Sequence, residues 1–371
     1  MKTDSYMPVR IISGRGCVKE NSKAFSSLGK RCLIVAGGSS AKKCGALDDC
    51  VSALEKEGVF FEVFDRIEPN PKTSACFEAG KRARETEADF IVGIGGGSPM
   101  DAAKAAAIYA ANASMGETDI YFRSIPAPAL PVALIGTTAG TGSEVTGVSV
   151  LTNSVTGKKK SISGADCYAK ISFCDYGYTL DVPEKITVST ALDAFSHAFE
   201  SRVSEISNEL SACYADKAIA LLKDFILGLG GKTAPDEAER EKLYTASIFA
   251  GLAINITGTC FPHTVGYHLT EKYGVPHGVA CVAFMPELIK RAQKNCPGKL
   301  GAVEGILGIG SEELISKTAC AVGYEMKITE EEADAFCASL SGNIKNFVRS
   351  PGGFTAGDAK RALLTFGSFF N

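Results

Sequence analysis

Asp193 and His197 stand four residues apart in Asp-Ala-Phe-Ser-His, a spacing that puts both side chains on one helix face, one turn apart. The chain has four histidines, and the other three fall at 263, 268 and 277. His197, His263 and His277 with the Asp193 carboxylate make a donor set for a divalent first-row metal, with Fe, Zn, Mn and Co all open. A second kind of chemistry sits at Gly95, Gly96 and Gly97, between the apolar run Phe90–Ile94 and an Ala-rich segment. Glycines let backbone approach an anion closely, and a helix beginning there offers free N–H groups and a positive dipole. Ser98 or Asp101 could instead cap that helix. The spacing is neither a Walker loop nor a G-x-G-x-x-G in the first βα turn, so it reads as an anion-binding turn. A second loop, Pro131 to Thr146, carries Thr137, Thr138, Thr141 and Ser143 as hydroxyl donors, with Gly140 and Gly142 permitting close approach.

Positioning such groups falls to the surrounding elements. Apolar runs at Arg31–Ala36, Val59–Phe64, Phe90–Ile94 and Leu130–Ile135 read as strands, and Ala46–Gly58, Thr73–Thr86 and Met100–Ala111 read as helices. Such alternation predicts a parallel sheet covered by helices on both faces. Ligands of open α/β sheets bind at the carboxyl ends of the strands, where both loops would lie. After about Tyr178 the pattern is helical, with Pro183–Arg202, Leu210–Leu229 and Ala238–Ile254 the clearest segments. The expected organisation is an α/β dinucleotide-binding domain over 1–178 and an all-α metal-binding domain over 179–371, meeting at a cleft.

The 371 residues are comfortable for two domains. A net charge of -3 without a basic patch argues against nucleic acid. No stretch approaches the roughly 18 uninterrupted apolar residues of a membrane span, and the polar N-terminus lacks a secretory signal. Thirteen scattered cysteines fit a reducing cytoplasm better than a disulfide framework.

Taken together, GGGSPMDAAK (95–104), TTAGTGSEVT (137–146), DAFSHAFE (193–200), FPH (261–263) and VPHG (275–278) resemble the group III, iron-containing alcohol dehydrogenases over nearly the whole chain. The resemblance implies a dehydroquinate synthase-like α/β domain with a parallel sheet, then a helical domain whose Asp193, His197, His263 and His277 bind Fe2+, or Zn2+ or another divalent metal. It further implies cofactor contacts from Gly95, Gly96, Gly97, Ser98, Asp101, Thr137, Thr138, Thr141 and Ser143, with Asn70, Val150, Lys159 and Thr179 completing the nucleotide site. Lys160 fits the ribose-reaching position with one gap. Many members carry an Asp just after the first strand; here Gly37 stands there, with Ser39, Lys42 and Lys43 nearby, which favours NADP(H) over NAD(H). A second histidine near the substrate is replaced by Tyr267, followed by His268, and both are weighed as proton-relay residues. A homodimer or larger homo-oligomer is expected on the same resemblance.

The reaction expected is hydride transfer between NAD(P)(H) and a small primary alcohol or aldehyde. A polyol dehydrogenase is the nearest variant. A dehydroquinate synthase-like lyase would need Lys and Arg at the metal to hold an acidic phosphorylated substrate, whereas Arg202 and Lys272 are the only nearby bases. Phe195, Phe199, Phe249, Phe261 and Tyr267 predict an apolar pocket instead. A nucleotide-sensing scaffold that lost catalysis is opposed by the intact ligand set.

Overall fold

The computed structural model describes residues 5–122, 125–231, 234–322, 328–340 and 344–366. The chain divides into two compact units, Tyr6–Val182 and, after a few N-terminal residues assigned to it, Pro183–Asn371.

The first unit carries strands β1 (Arg10–Ser13), β2 (Arg31–Ala36), β3 (Phe60–Phe64), β4 (Phe90–Gly95), β5 (Val132–Gly136), β6 (Val148–Thr152), β7 (Lys159–Ser163) and β8 (Ile171–Cys174). Among its helices are α1 (Ala46–Lys56), α2 (Thr73–Glu85) and α3 (Gly97–Ala111). Six strands form a sheet in the order β1-β8-β5-β4-β2-β3, with every pairing parallel. Alternate residues of β2 divide between two cores: Leu33 and Val35 face one, Cys32, Ile34 and Ala36 the other. A strand buried on both faces needs the continuous apolar run that Arg31–Ala36 shows. From β2 the chain continues to β3 on one side, while β4 leads to β5 on the other. The order therefore reverses between β2 and β4, a topological switch point of the kind that binds ligands in open sheets.

Four strands lie outside the expected set. β1 and β8 have only four residues each, too short to display a period, and they pair with each other at one edge. β6 and β7 form a separate antiparallel hairpin. The strand expected from Leu130 begins after Pro131, which has no N–H to donate. α3 begins three residues before the expected Met100, directly on the glycine turn.

The second unit, as described, is helical. α4 (Glu184–Val203), α5 (Glu209–Leu227) and α6 (Glu237–Thr257) are its longest helices, followed by α7 (Phe261–Tyr273) and the short α8 (His277–Val282). Asn208 caps α5 and Asp236 caps α6, each in a reciprocal capping box. α7 opens with Pro262 in its first turn, where a missing N–H costs nothing. No single helix among the described residues is long and apolar enough to cross a membrane.

Candidate metal centre and nucleotide loops

The two glycine-bearing loops of the α/β unit follow β4 and β5 and pack on one another. Gly95 pairs with Gly136 across the sheet and takes φ +148°, a conformation L side chains rarely adopt. A Cβ at Gly96 would come within 2.9 Å of Thr138 Oγ1, and one at Gly97 within 2.8 Å of Thr141 Cγ2. All three glycines thus have a packing reason inside the protein, in addition to any close approach of an anion. What still points to a phosphate is the uncapped N-terminus of α3: neither Ser98 nor Asp101 caps it, against that alternative. Ser98 Oγ instead accepts from the backbone N–H of Asn70, itself at φ +59°.

Asp101 and Lys104 hold the second loop from within. The Lys104 ammonium is wholly buried and donates to Ser143 O, Ser143 Oγ and Val148 O at 2.8 Å and to Thr146 O at 3.0 Å. Asp101 accepts from Ser143 Oγ at 2.6 Å and from Val150 N–H at 2.9 Å. The DAAK part of the motif is therefore an internal clamp, and Ser143 and Val150 are engaged by it. Burial pushes Asp101 up and Lys104 down from their ordinary values, while their mutual attraction opposes both shifts. Thr137 is buried and its N–H donates to Gly95 O at 2.9 Å, and Thr179 donates to Tyr176 O within its own turn. Lys159 pairs with Thr152 in the hairpin. Lys160 lies over the Tyr121 and Phe122 rings, 5.0 and 4.2 Å from their centroids, where its charge is engaged.

Gly37 follows β2, and its neighbourhood is tight. A Cβ there would meet Ile67 O at 2.8 Å and Pro99 Cγ at 3.1 Å. The missing acidic side chain thus has a packing reason as well as a bearing on the cofactor. Ser39 is exposed two residues on.

In the helical unit, α4 presents Asp193 and His197 on one face as the spacing predicted, and the other candidate donors come to Asp193 Oδ1. His263 Nε2 lies 3.5 Å from that oxygen, His197 Nε2 3.7 Å and His277 Nε2 3.8 Å. The His197 and His263 rings stack at 4.6 Å. Asp193, His263, His277 and Cys281 place one potential ligand atom each within 4.8 Å of one another. Asp193 Oδ1 and His263 Nε2 are buried and have no hydrogen-bond partner. Such an orphaned group costs about 1–3 kcal/mol, so the donors fit a cation between them. Burial opposes ionisation of Asp193, but His197, His277 and His263 hold its carboxyl well below the usual carboxylate range.

Two features that the residue types did not disclose build this cluster. Glu200, the last residue of DAFSHAFE and wholly buried, accepts from Ser196 Oγ at 2.5 Å and from Cys260 N–H at 2.6 Å. His263 Nδ1 lies 2.5 Å from Glu200 Oε1, so an N–H there leaves the Nε2 lone pair for a metal. The signal was available, since Glu200 lies seven residues beyond Asp193 on the same helical stripe. Gly278 admits α8 to α4: a Cβ there would sit 1.8 Å from Ser189 O and 2.6 Å from Asp193 N.

The relay candidates separate. Tyr267 stacks on His277 at 5.1 Å with the rings nearly parallel. His268 lies against Tyr273 and Phe336 with its Nε2 buried, and is not gathered with the cluster. Of the phenylalanines expected in an apolar pocket, Phe195, Phe199 and Phe261 are wholly buried, and Phe261 stacks on Phe354 at 4.0 Å. They serve the core. Arg202 is paired with Asp216 at 2.7 Å and Lys272 with Glu332, so neither base is spare for a phosphorylated substrate.

Comparison with known proteins gives concordant results. The profile described as iron-containing alcohol dehydrogenase matches residues 8–176, and that of the Fe-containing alcohol dehydrogenase C-terminal region matches residues 187–333. The 1,3-propanediol dehydrogenase of Citrobacter freundii is 31% identical over 312 residues, covering 80% of this chain and 79% of its own. The NADPH-dependent butanol dehydrogenase of Clostridium saccharobutylicum is 28% identical over 318 residues, covering 83% of this chain and 80% of its own. The crystal structure of sulfoacetaldehyde reductase from Bifidobacterium kashiwanohense, in complex with NAD+, matches 99% of both chains with a TM-score of 0.87 and 27% identity.

Proposed function

The chain belongs to the iron-containing alcohol dehydrogenase family, and from that premise we propose how its own residues serve an NAD(P)-dependent, metal-dependent alcohol dehydrogenase. The reaction moves a hydride between the nicotinamide and the carbinol carbon of a small primary alcohol, or its aldehyde in reverse. The observation that carries the reading is the convergence of His197, His263 and His277 on one buried Asp193 oxygen. A divalent cation bound there supplies Lewis acidity toward the substrate oxygen. Asp193, His197, His263 and His277 would hold it.

Each residue then has a defined task. Glu200 keeps the His263 proton on Nδ1, so that Nε2 stays a lone-pair donor. Tyr267 stacks on His277 and steadies that ring. It is the better placed of the two relay candidates, because His268 packs against Tyr273 and Phe336 instead. On the α/β unit, the start of α3 and the Thr137–Thr141 loop would receive the pyrophosphate and ribose, held in place by Asp101 and Lys104.

Three finer assignments belong to the same proposal. Iron is favoured by the family, with zinc the chemical alternative. NADP(H) is favoured over NAD(H), because no carboxylate follows β2 while Ser39, Lys42 and Lys43 do. The similar proteins differ on this point, one being NADPH-dependent and another holding NAD+. A reducing cytoplasm suits the cysteines, which among the described residues are free thiols. A homo-oligomer is proposed from the family alone. A diol is the favoured variant substrate, given the similarity to 1,3-propanediol dehydrogenase.

The test is a cofactor-by-substrate activity matrix after anaerobic iron loading, run beside His263→Ala. The variant should lose turnover and metal while keeping its nucleotide affinity. Turnover that survives without His263 would defeat the ligand assignment.

A further inference from the structure

His277 and Cys281 lie four residues apart on α8, one face and one turn apart, as Asp193 and His197 do on α4. Cys281 is wholly buried, and its Sγ lies 3.7 Å from His277 Nε2 and 3.9 Å from His277 Nδ1. The nearby buried Cys260 turns its Sγ to Glu200 O, and Cys17 turns its own to Ile12 O. Cys281 is the cysteine whose sulfur joins Asp193, His263 and His277 within a 4.8 Å group. Two further atoms of that group, Asp193 Oδ1 and His263 Nε2, are buried without a hydrogen-bond partner.

Distances within the group approach those of a coordination shell. With metal–nitrogen bonds of about 2.0–2.1 Å and one metal–sulfur bond of about 2.3 Å, tetrahedral donors stand roughly 3.3–3.6 Å apart. The 3.5 Å from Asp193 Oδ1 to His263 falls in that range, and the 3.8 Å to His277 and the 3.7 Å from Cys281 to His277 lie just above it.

We infer that Cys281 supplies a thiolate donor to this centre, in addition to the set of Asp193, His197, His263 and His277. The inference rests on the metal-centre reading above and adds a sulfur to it. On binding, the Sγ–H bond breaks, the proton passes to solvent and a sulfur lone pair enters the shell; nothing is oxidised or reduced. A thiolate among imidazoles shifts preference toward borderline cations such as Zn2+ and Co2+ and away from Mn2+ and Mg2+.

Anaerobic loading of the full chain with Co2+ provides one test, and X-ray absorption on the Zn2+-loaded chain provides another that needs no variant. The expected results are a thiolate-to-cobalt charge-transfer band that disappears in Cys281→Ser, and one sulfur scatterer at about 2.3 Å from zinc. A shell of nitrogen and oxygen alone in the unaltered chain would overturn the sulfur donor and leave the metal centre standing. A charge-transfer band that persists in Cys281→Ser would overturn it too, since another cysteine would be its source. No visible cobalt ligand-field bands and no retained zinc would overturn both readings together.

Discussion

Replacing Glu200 with Gln removes one charge from beneath the candidate metal centre while keeping nearly the same volume, and its consequences can be worked from the contacts. Three donors converge on the two carboxylate oxygens: Ser196 Oγ and His263 Nδ1 at Oε1, and Cys260 N at Oε2. A glutamine offers one acceptor oxygen and an NH2 group. With its oxygen toward Ser196 and His263, the NH2 faces the Cys260 N–H and leaves that buried donor unsatisfied, at about 1–3 kcal/mol. Turned over, it satisfies Cys260 but no longer fixes the His263 proton on Nδ1. Either way the imidazole loses its anionic partner, a class of change that weakens metal affinity about 10–100-fold. That corresponds to roughly 1.4–2.8 kcal/mol at about 1.4 kcal/mol per decade. The assay is competition for Zn2+ against a chromophoric chelator, with thermal unfolding of the metal-free proteins in parallel to separate folding from binding. A folded Glu200→Gln protein that binds Zn2+ within about a factor of two of the unaltered chain would refute the role given to Glu200.

Other substitutions follow from the same geometry. Lys104→Met leaves Asp101 and the Ser143–Val148 carbonyls without their buried cation and should destabilise the chain by about 3–5 kcal/mol; a loss under about 1 kcal/mol in denaturant unfolding would mean that the clamp is idle. Gly278→Ala places a Cβ 1.8 Å from Ser189 O, so α8 must withdraw from α4. Metal content should fall while circular dichroism stays helical, and full metal stoichiometry would contradict this. For the cofactor, Gly37→Asp is a poor probe because its Cβ would strike Ile67 O, whereas the exposed Ser39 has room. Ser39→Asp should raise the Kd for NADPH far more than that for NADH, and equal effects on both would remove the case for NADP(H).

Much of the molecule was legible in the residues themselves. The i, i+4 pair at Asp193 and His197 needs only helical periodicity to share a face, and the two side chains do lie together on α4. The same holds for β2 and β4, whose unbroken apolar runs can sit only in a sheet covered on both sides. Short elements were another matter. β1 and β8 show four residues apiece, and an edge pairing 161 residues apart leaves no local trace, as Arg10 with Ile171 illustrates.

Residue types and spacing by themselves pointed to the candidate donors, the alternation of the central strands and helices, and the family, because each depends on local periodicity or on contiguous motifs. The tertiary structure alone decided what each side chain faces. It turned Asp101 and Lys104 inward as a clamp, gave the three glycines a packing reason, and moved Phe261 into the core against Phe354. It also brought Glu200 beneath His263 and gathered Cys281 with Asp193 and His263. Those contacts depend on how separate elements approach, and for α8 and α4 the approach needs Gly278, where a single Cβ would hold α8 and its donor side chains away from Asp193.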